Sequence, residues 1–450
     1  MADAAKRTLI IDCDPGVDDT LALLLALNTA SARIPLISLC FGNVDVAVSI
    51  RNVVAIFKIL ETERAYRTDN GKLLLKHYHY KASTGGKDQW PLVALGSKLP
   101  VSARRTVGAE FFHGDDGLGG VHSHLPQFSP ADVEIAPFFG EADGAIAPVG
   151  YIPSREPSWR EILRVLREEP ADTVTVVAIA PLSNIARAAM EDPVTFARAR
   201  EVVCMGGNIN VPGNMTPFAE FNFYADIDAA AIVFATTSRT PGSTLPPSAS
   251  ALMSSFNARK EIVKPMRLVL FPLDITVQHR LRLAWLKEHT AAWTGESDDV
   301  TSPLVRWMNV WLGSAFGNMA ELVEFETHRS ADAAAADLED GVGGSFFPLH
   351  DPTAMYYALL SDEERASQFV LNEAVDVRIE TVGQFTWGMC VVDRRGVAKR
   401  GPQDPPPPRD VGDWLLTETG NRIDVAVRGP GSKELSRRLL ETIFHGHISS

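Results

Sequence analysis

The chain has 450 residues, 45% hydrophobic and 22% charged, a composition that suits a folded protein with a sizeable core. Its 43 basic and 56 acidic side chains give a net charge of −13, which argues against a non-specific nucleic-acid binder, because that function needs a basic face. An anionic small ligand stays open, since local fields can oppose the net charge. Cys13, Cys40, Cys204 and Cys390 are too few for a disulfide framework in a chain this long, so buried reduced thiols are expected. The opening MADAAKRTLIID has no apolar segment of signal-peptide length, and no apolar run reaches about 18 residues. A soluble, cytoplasmic protein with no membrane partner is expected.

In chain order, one grammar repeats: an apolar run, a short polar turn, then a helical pattern. Thr8–Ile11 leads through Asp12–Asp19 to Thr20–Leu27, and Ile34–Phe41 leads through Gly42-Asn43 to a helix near Val48–Leu60. Thr173–Ile179 precedes Ala180–Ser183 and a helix at Asn184–Met190. Glu201–Met205 runs into Gly206-Gly207, and Asp226–Phe234 reads as helix. Arg267–Leu273 reads as a strand ending in Asp274. Near the C-terminus, Val375–Ile379 and Phe385–Val392 look like a hairpin, followed by a strand at Arg422–Val427 and an amphipathic helix from Ser432 to about Phe444. Strands alternating with helices predict an α/β, Rossmann-like, mostly parallel open sheet flanked by helices. Residues 63–90, 126–157, 238–255, 330–344 and 398–412 interrupt the grammar, which resumes after each. They are expected to be surface insertions in one domain spanning 1–450.

The stretch IIDCDPGVDDTLALLL (10–25) crowds Asp12, Asp14, Asp18 and Asp19 into eight positions beside apolar residues, although like charges this close repel. Strand alternation would put Asp12 and Asp14 on one face and Cys13 on the other. Pro15-Gly16 makes a turn, and Asp18 and Asp19 would open a helix, where backbone N–H groups favour carboxylates. Ligands of open α/β sheets bind beyond the carboxyl ends of strands, so these groups fall where function is expected. The plainer reading is that Asp18 is an N-cap and Asp14 a turn former. One capping carboxylate needs no cation, but three clustered ones do, and oxygen-only ligands favour Ca²⁺ or Mg²⁺.

Two further segments carry polar groups. His350-Asp351-Pro352 precedes a helical run, with Asp351 suited to the N-cap and Pro352 to the first helical position. In GNMTPFAEFN (213–222), Asn214, Glu220 and Asn222 suit sugar hydroxyls; loop capping is the alternative.

Together, DCDPGVDD, FGN (41–43), APLSNIA (180–186), VCMGGN (203–208), GNMTPFAEFN, LDIT (273–276), HDP and the C-terminal VDVRIETVGQFTWGMCVVD resemble the inosine–uridine preferring nucleoside hydrolases. The resemblance runs through nearly the whole chain apart from the interruptions. Thr20 and Asn208 depart from the small residues usual at those places. The resemblance implies hydrolysis of the N-glycosidic bond of ribonucleosides at a bound Ca²⁺. It implies Asp14 as metal ligand and general base, Asp19 and Asp351 as further carboxylate ligands, and the backbone carbonyl of Ile179 as another. Asp18, Asn43, Asn214, Glu220 and Asn222 would contact the ribose. His350 and His113, the latter in the loop FFHGDDGLGG, would lie near the leaving base. The implied partner is a small-molecule ribonucleoside, the implied setting is nucleoside salvage, and homodimer and homotetramer both stay open. The rival readings are a non-catalytic nucleoside or sugar binder and a phosphatase of the haloacid-dehalogenase type with Asp12 as nucleophile.

Overall fold

The computed structural model describes residues 6–72, 90–102, 107–140, 148–245, 264–297, 300–327, 345–405 and 409–445. The strands are β1 (Arg7–Cys13), β2 (Ala32–Leu39), β3 (Leu92–Leu95), β4 (Ile152–Ser154), β5 (Val174–Ala178), β6 (Glu201–Met205), β7 (Leu268–Phe271), β8 (Arg280–Arg282), β9 (Phe346–Pro348), β10 (Val370–Val375), β11 (Val377–Ile379), β12 (Cys390–Val392) and β13 (Ile423–Arg428). A 9-stranded open sheet has the order β10-β13-β7-β6-β5-β1-β2-β3-β4, parallel except for β10 against β13. The expectation of a mostly parallel α/β sheet flanked by helices holds. The helices used below are α1 (Val17–Leu27), α2 (Val46–Asp69), α3 (Glu110–His113), α4 (Ser158–Glu168), α5 (Ser183–Glu191), α6 (Phe221–Ala225), α7 (Ile227–Ala235), α8 (Leu273–Thr276), α9 (Pro303–Thr327), α10 (His350–Leu359) and α11 (Ser432–His445).

The central strands are apolar without polar alternation because both faces of a parallel sheet are covered. Leu9, Ile11 and Cys13 join Val177, Val203, Val269 and Phe271 on one face, with the buried residues of α1, α2, α9, α10 and α11. Ile10 joins Val176, Ala178, Val202 and Leu268 on the other, against α4, α5 and α7. From β1 the chain moves outward through β2, β3 and β4, then returns to β5 on the other side of β1. This reversal opens a crevice at the carboxyl ends of β1 and β5, the usual ligand position in such sheets. Asp12 pairs in register with Ala178 there, and the Ile179 N–H donates to the Asp12 carbonyl at 2.9 Å.

Several local readings differ from the structure. LDIT continues an apolar strand in sequence but forms α8; Pro272, which has no N–H for the ladder, ends β7 before it. The helix expected over Asp226–Phe234 is α7, with Asp226 as its N-cap accepting from Ala229 N–H at 3.1 Å, and the short α6, not anticipated, precedes it. The helix α2 runs on to Asp69, and β4, within the stretch 126–157, completes the sheet edge. Residues 73–89, 141–147, 246–263, 328–344 and 406–408, which include the whole stretch 330–344, lie outside the described residues. Among the described residues, no helix is long and apolar enough to cross a membrane.

Candidate active site

The strand β1 stops at Cys13, so alternation ends there, and Asp12 and Asp14 do not share a setting as expected. Asp12 lies beneath the turn. Its Oδ1 accepts from the Ser38 hydroxyl and from Asn184 Nδ2, the latter at 2.8 Å. Asn184, at the start of α5, also donates to the Leu39 carbonyl at 3.0 Å, and its Oδ1 accepts from Ser97 N–H at 2.8 Å. One amide therefore ties together the ends of β1 and β2 and the loop after β3. Burial holds the Asp12 carboxyl up at about 7. Its other oxygen, Oδ2, is buried with no hydrogen-bond partner in the protein.

Asp14-Pro15-Gly16 makes the turn into α1, whose N-cap is Gly16. Asp19, the third helical residue, accepts from Asp14 N–H at 3.1 Å and from Gly16 N–H at 3.2 Å. Asn43, in the loop after β2, donates its backbone N–H to Asp14 Oδ2 at 2.5 Å and its side-chain amide to Asp19 Oδ2 at 2.9 Å. This approach demands Gly42, where a Cβ would collide with the Asp14 carboxylate and the Pro181 ring. The other Asp14 oxygen, Oδ1, is buried and has no hydrogen-bond partner in the protein.

α10 brings the last carboxylate. Its N-cap is Leu349 rather than Asp351, with Thr353 N–H donating to the Leu349 carbonyl at 3.2 Å, so Asp351 is the second helical residue. Proline fits anywhere in the first turn, where N–H groups lack intrahelical partners, so Pro352 does not fix the start. Asp18, Asp19 and Asp351 offer oxygens within 4.8 Å of one another. The Asp14 and Asp19 carboxylates also meet, as do those of Asp19 and Asp351. Burial, then mutual repulsion, pushes Asp14 and Asp351 well above the usual carboxylate range and Asp18 to about 8. Burial likewise raises Asp19, against the pull of its backbone donors. Four buried carboxylates with an orphaned oxygen fit a hard divalent cation.

Two imidazoles border this cluster. His113, at the end of α3, accepts the Val17 N–H on Nδ1 at 3.2 Å, so the proton of the neutral ring sits on Nε2. His350 pairs through Nδ1 with the Thr276 hydroxyl at 2.8 Å. Burial depresses His113 to about 3, helped by nearby His350, and His350 to about 4. Thr276 stands in the quoted LDIT, but neither segment alone signals its pairing with His350, 74 positions away.

The third segment is more distributed. Glu220 is the N-cap of α6, accepting from Gly207, Asn222 and Phe223 N–H groups at 2.7, 2.8 and 3.1 Å. Asn222 Nδ2 reaches the Ile179 and Met205 carbonyls at 3.3 and 3.4 Å, linking the segment to the turn after β5. Asn214 is exposed and accepts from Phe221 N–H at 2.9 Å. Asp14, Asp18, Asp19, Asp351, Asn43, His113 and His350 thus gather in one place. Glu220 and Asn222 adjoin the carboxyl ends of β5 and β6, and Asn214 lies out on the loop.

A buried carboxylate cluster bordered by imidazoles lies at the switch point of the sheet, and comparison with known proteins gives its class. The sequence profile of the inosine–uridine preferring nucleoside hydrolases matches residues 9–411. The pyrimidine-specific ribonucleoside hydrolase RihA of Salmonella newport is 27% identical over 387 residues, 86% of this chain and 88% of that protein. Uridine nucleosidase 1 of Arabidopsis thaliana is 31% identical over 229 residues, 50% of this chain and 52% of that one. Among solved structures, a plant nucleoside hydrolase superposes with TM-score 0.60 at 20% identity, covering 97% and 98% of the two chains. A purine-preferring ribonucleoside hydrolase from Gardnerella vaginalis does so with TM-score 0.62 at 18% identity, covering 98% and 99%. The chain belongs to the inosine–uridine preferring nucleoside hydrolase family. It is an enzyme of the nucleoside hydrolase class.

Proposed function

We propose that the protein hydrolyses the N-glycosidic bond of ribonucleosides to free base and ribose, with Asp14 taking the proton of the attacking water. The observation that carries this reading is the buried, unpartnered Asp14 Oδ1 among three further buried carboxylates. A buried oxygen without a protein partner calls for a ligand, a water or a proton. Asp14, Asp19, Asp351 and the Ile179 carbonyl would hold a Ca²⁺. When bound, the cation would offset the carboxylate repulsion, lower the pKa of water and orient the ribose hydroxyls.

The chain's own groups would do the rest. Asp18, Asn43, Asn214, Glu220 and Asn222 would hold the sugar. As the glycosidic bond breaks, positive charge grows on the ribose ring, and the fixed carboxylates stabilise it. The departing base is a poor leaving group as an anion. His350 and His113 are neutral in the free protein and would face it as N–H donors. Its relatives include a pyrimidine-specific and a uridine-hydrolysing enzyme, which supports uridine and cytidine as the first substrates to try.

The test is ribose released from uridine, cytidine, inosine and adenosine by wild type and by Asp14→Asn. Release by wild type, with turnover of the variant reduced by roughly a thousandfold or more, is expected from losing a base and a cation ligand together. Near-wild-type turnover by the variant would refute the assignment of Asp14. Tight ribonucleoside binding without turnover would favour the non-catalytic binder instead.

A further inference from the structure

The loop that follows α3, residues 114–120, packs against the Asp14-Pro15-Gly16 turn through a residue with no assigned role. Asn52 lies on the buried side of α2. Its Nδ2 donates to the Pro15 carbonyl at 2.8 Å and to the Asp116 carbonyl at 2.8 Å. One amide nitrogen thus joins the catalytic turn to the loop next to His113. Its Oδ1 faces His122 Nε2 at 2.8 Å, while His122 Nδ1 faces the Ser129 hydroxyl at 2.8 Å. Because Nδ2 must donate to two carbonyls, Oδ1 must accept, so His122 carries its proton on Nε2 and takes the Ser129 hydroxyl hydrogen on Nδ1. The Ser129 hydroxyl has a second acceptor in the His122 carbonyl at 3.3 Å, and with the shorter Nδ1 contact made the donors run from Ser129 to His122 to Asn52 to the two carbonyls. Burial keeps His122 below the ordinary imidazole range, consistent with a single ring proton.

The two sides of this junction differ in what else holds them. The turn has its own anchors in Asp19, which binds Asp14 N–H and Gly16 N–H, and in Thr20, whose hydroxyl donates to the Gly16 carbonyl at 2.7 Å. The loop's hydrogen bonds are mostly internal, and Leu118 anchors it in the core. The Asp116 carboxylate accepts from the Leu118, Gly120 and His122 N–H groups, and Gly119 N–H donates to the His113 carbonyl at 2.8 Å. Gly117, at φ 74°, packs at this junction: a Cβ there would lie 3.0 Å from Asn52 Nδ2 and 3.2 Å from the Pro15 carbonyl. The shared donor therefore sits where the loop and the turn come together, while Leu118 in the core and Gly119 against Ser314 hold the loop's far side.

We propose that Asn52 is a positioning residue that latches the His113-bearing loop onto the aspartate turn, with His122 and Ser129 fixing which way its amide faces. It acts through His113 rather than on the substrate. The proposal rests on the reading that His113 serves the leaving base. A substrate whose leaving group departs unaided should therefore escape the loss. p-Nitrophenyl β-D-ribofuranoside is such a substrate, since nitrophenolate is stable without protonation.

The experiment compares wild type, Asn52→Asp and Ser129→Ala in uridine and inosine hydrolysis, in p-nitrophenyl riboside hydrolysis and in amide hydrogen exchange. Asn52→Asp keeps the shape but removes both donated hydrogens. Ser129→Ala weakens the relay at its far end and leaves α2 untouched. The expected result is a loss in nucleoside kcat of at least about tenfold in Asn52→Asp and a smaller loss in Ser129→Ala. The nitrophenyl riboside rate should change far less, and exchange at residues 114–121 should speed up while α1 is unaffected. Equal losses on both substrate types, or unchanged exchange in the loop, would overturn the latch. A wild-type enzyme that released ribose from neither substrate type would instead refute the hydrolase reading, and the exchange data alone would then decide whether the latch exists.

Discussion

Asp14 Oδ1 and its neighbours give the residue scale its clearest physics. Four carboxylates are buried together, and in the absence of a cation burial and repulsion raise their proton affinities, Asp18 reaching about 8. A raised folded-state pKa means the folded protein holds the proton more tightly than the unfolded chain. That contribution is complete below the ordinary carboxylate pKa of about 4 and is lost as pH climbs through the folded-state value. His113 and His350 are depressed, so they have the opposite sign, destabilising the fold only as pH falls below their ordinary value of about 6.5. Between about pH 6.5 and about pH 8.5 the carboxylates should therefore dominate. Chelated protein is expected to show a falling Tm across that window in scanning calorimetry. Added Ca²⁺ should raise Tm, and more at the alkaline end, because it no longer competes with protons. A Tm that is flat with pH and indifferent to Ca²⁺ would contradict the clustered, cation-free carboxylates described here.

At the scale of elements, the turns around the site are where sequence and structure agree best. Asp-Pro-Gly between an apolar run and a helical pattern could hardly be read otherwise, and Glu201–Met205 matches β6 residue for residue. What failed was local reading of segments set by tertiary partners. LDIT looks like the end of a strand because the apolar run 267–273 leads into it, yet Asp274 turns away to accept the Ile209 and Asn210 N–H groups at 2.8 Å each. The helix α9 was missed, although Leu304, Val305, Met308, Trp311, Leu312 and Ala315 form a buried stripe at helical spacing. Asn52 carried only a faint signal, a polar residue inside an apolar helical run, and its two carbonyl partners lie 37 and 64 positions away. Gly42 shows how tightly the elements meet. Gly42→Ala is expected to cost about 1–3 kcal/mol in urea denaturation, from overpacking against Asp14 and Pro181. It should also cut turnover by displacing the Asp14 carboxylate. Unchanged stability and turnover would show that the loop after β2 can yield.

For the whole molecule, topology explains why the aspartates are crowded. β1 lies at the switch point, flanked by β2 and β5, so its carboxyl end is bordered by the loops that follow both neighbours. Asn43 comes from one, Ile179 from the other, and Asp351 arrives on α10, which packs on the same face as α1. The motifs were legible because each sits at a strand end. Their convergence was not, because the order of strands in the sheet is a property of the fold and cannot be read from any one segment. We propose that this convergence exists to hold a divalent cation, and the most direct test is the stoichiometry of Ca²⁺ binding by isothermal titration calorimetry. Wild type stripped of metal should bind one Ca²⁺ per chain, with Asp351→Asn losing most of that affinity while its circular dichroism stays unchanged. No Ca²⁺ binding by wild type, or full binding by Asp351→Asn, would contradict the account.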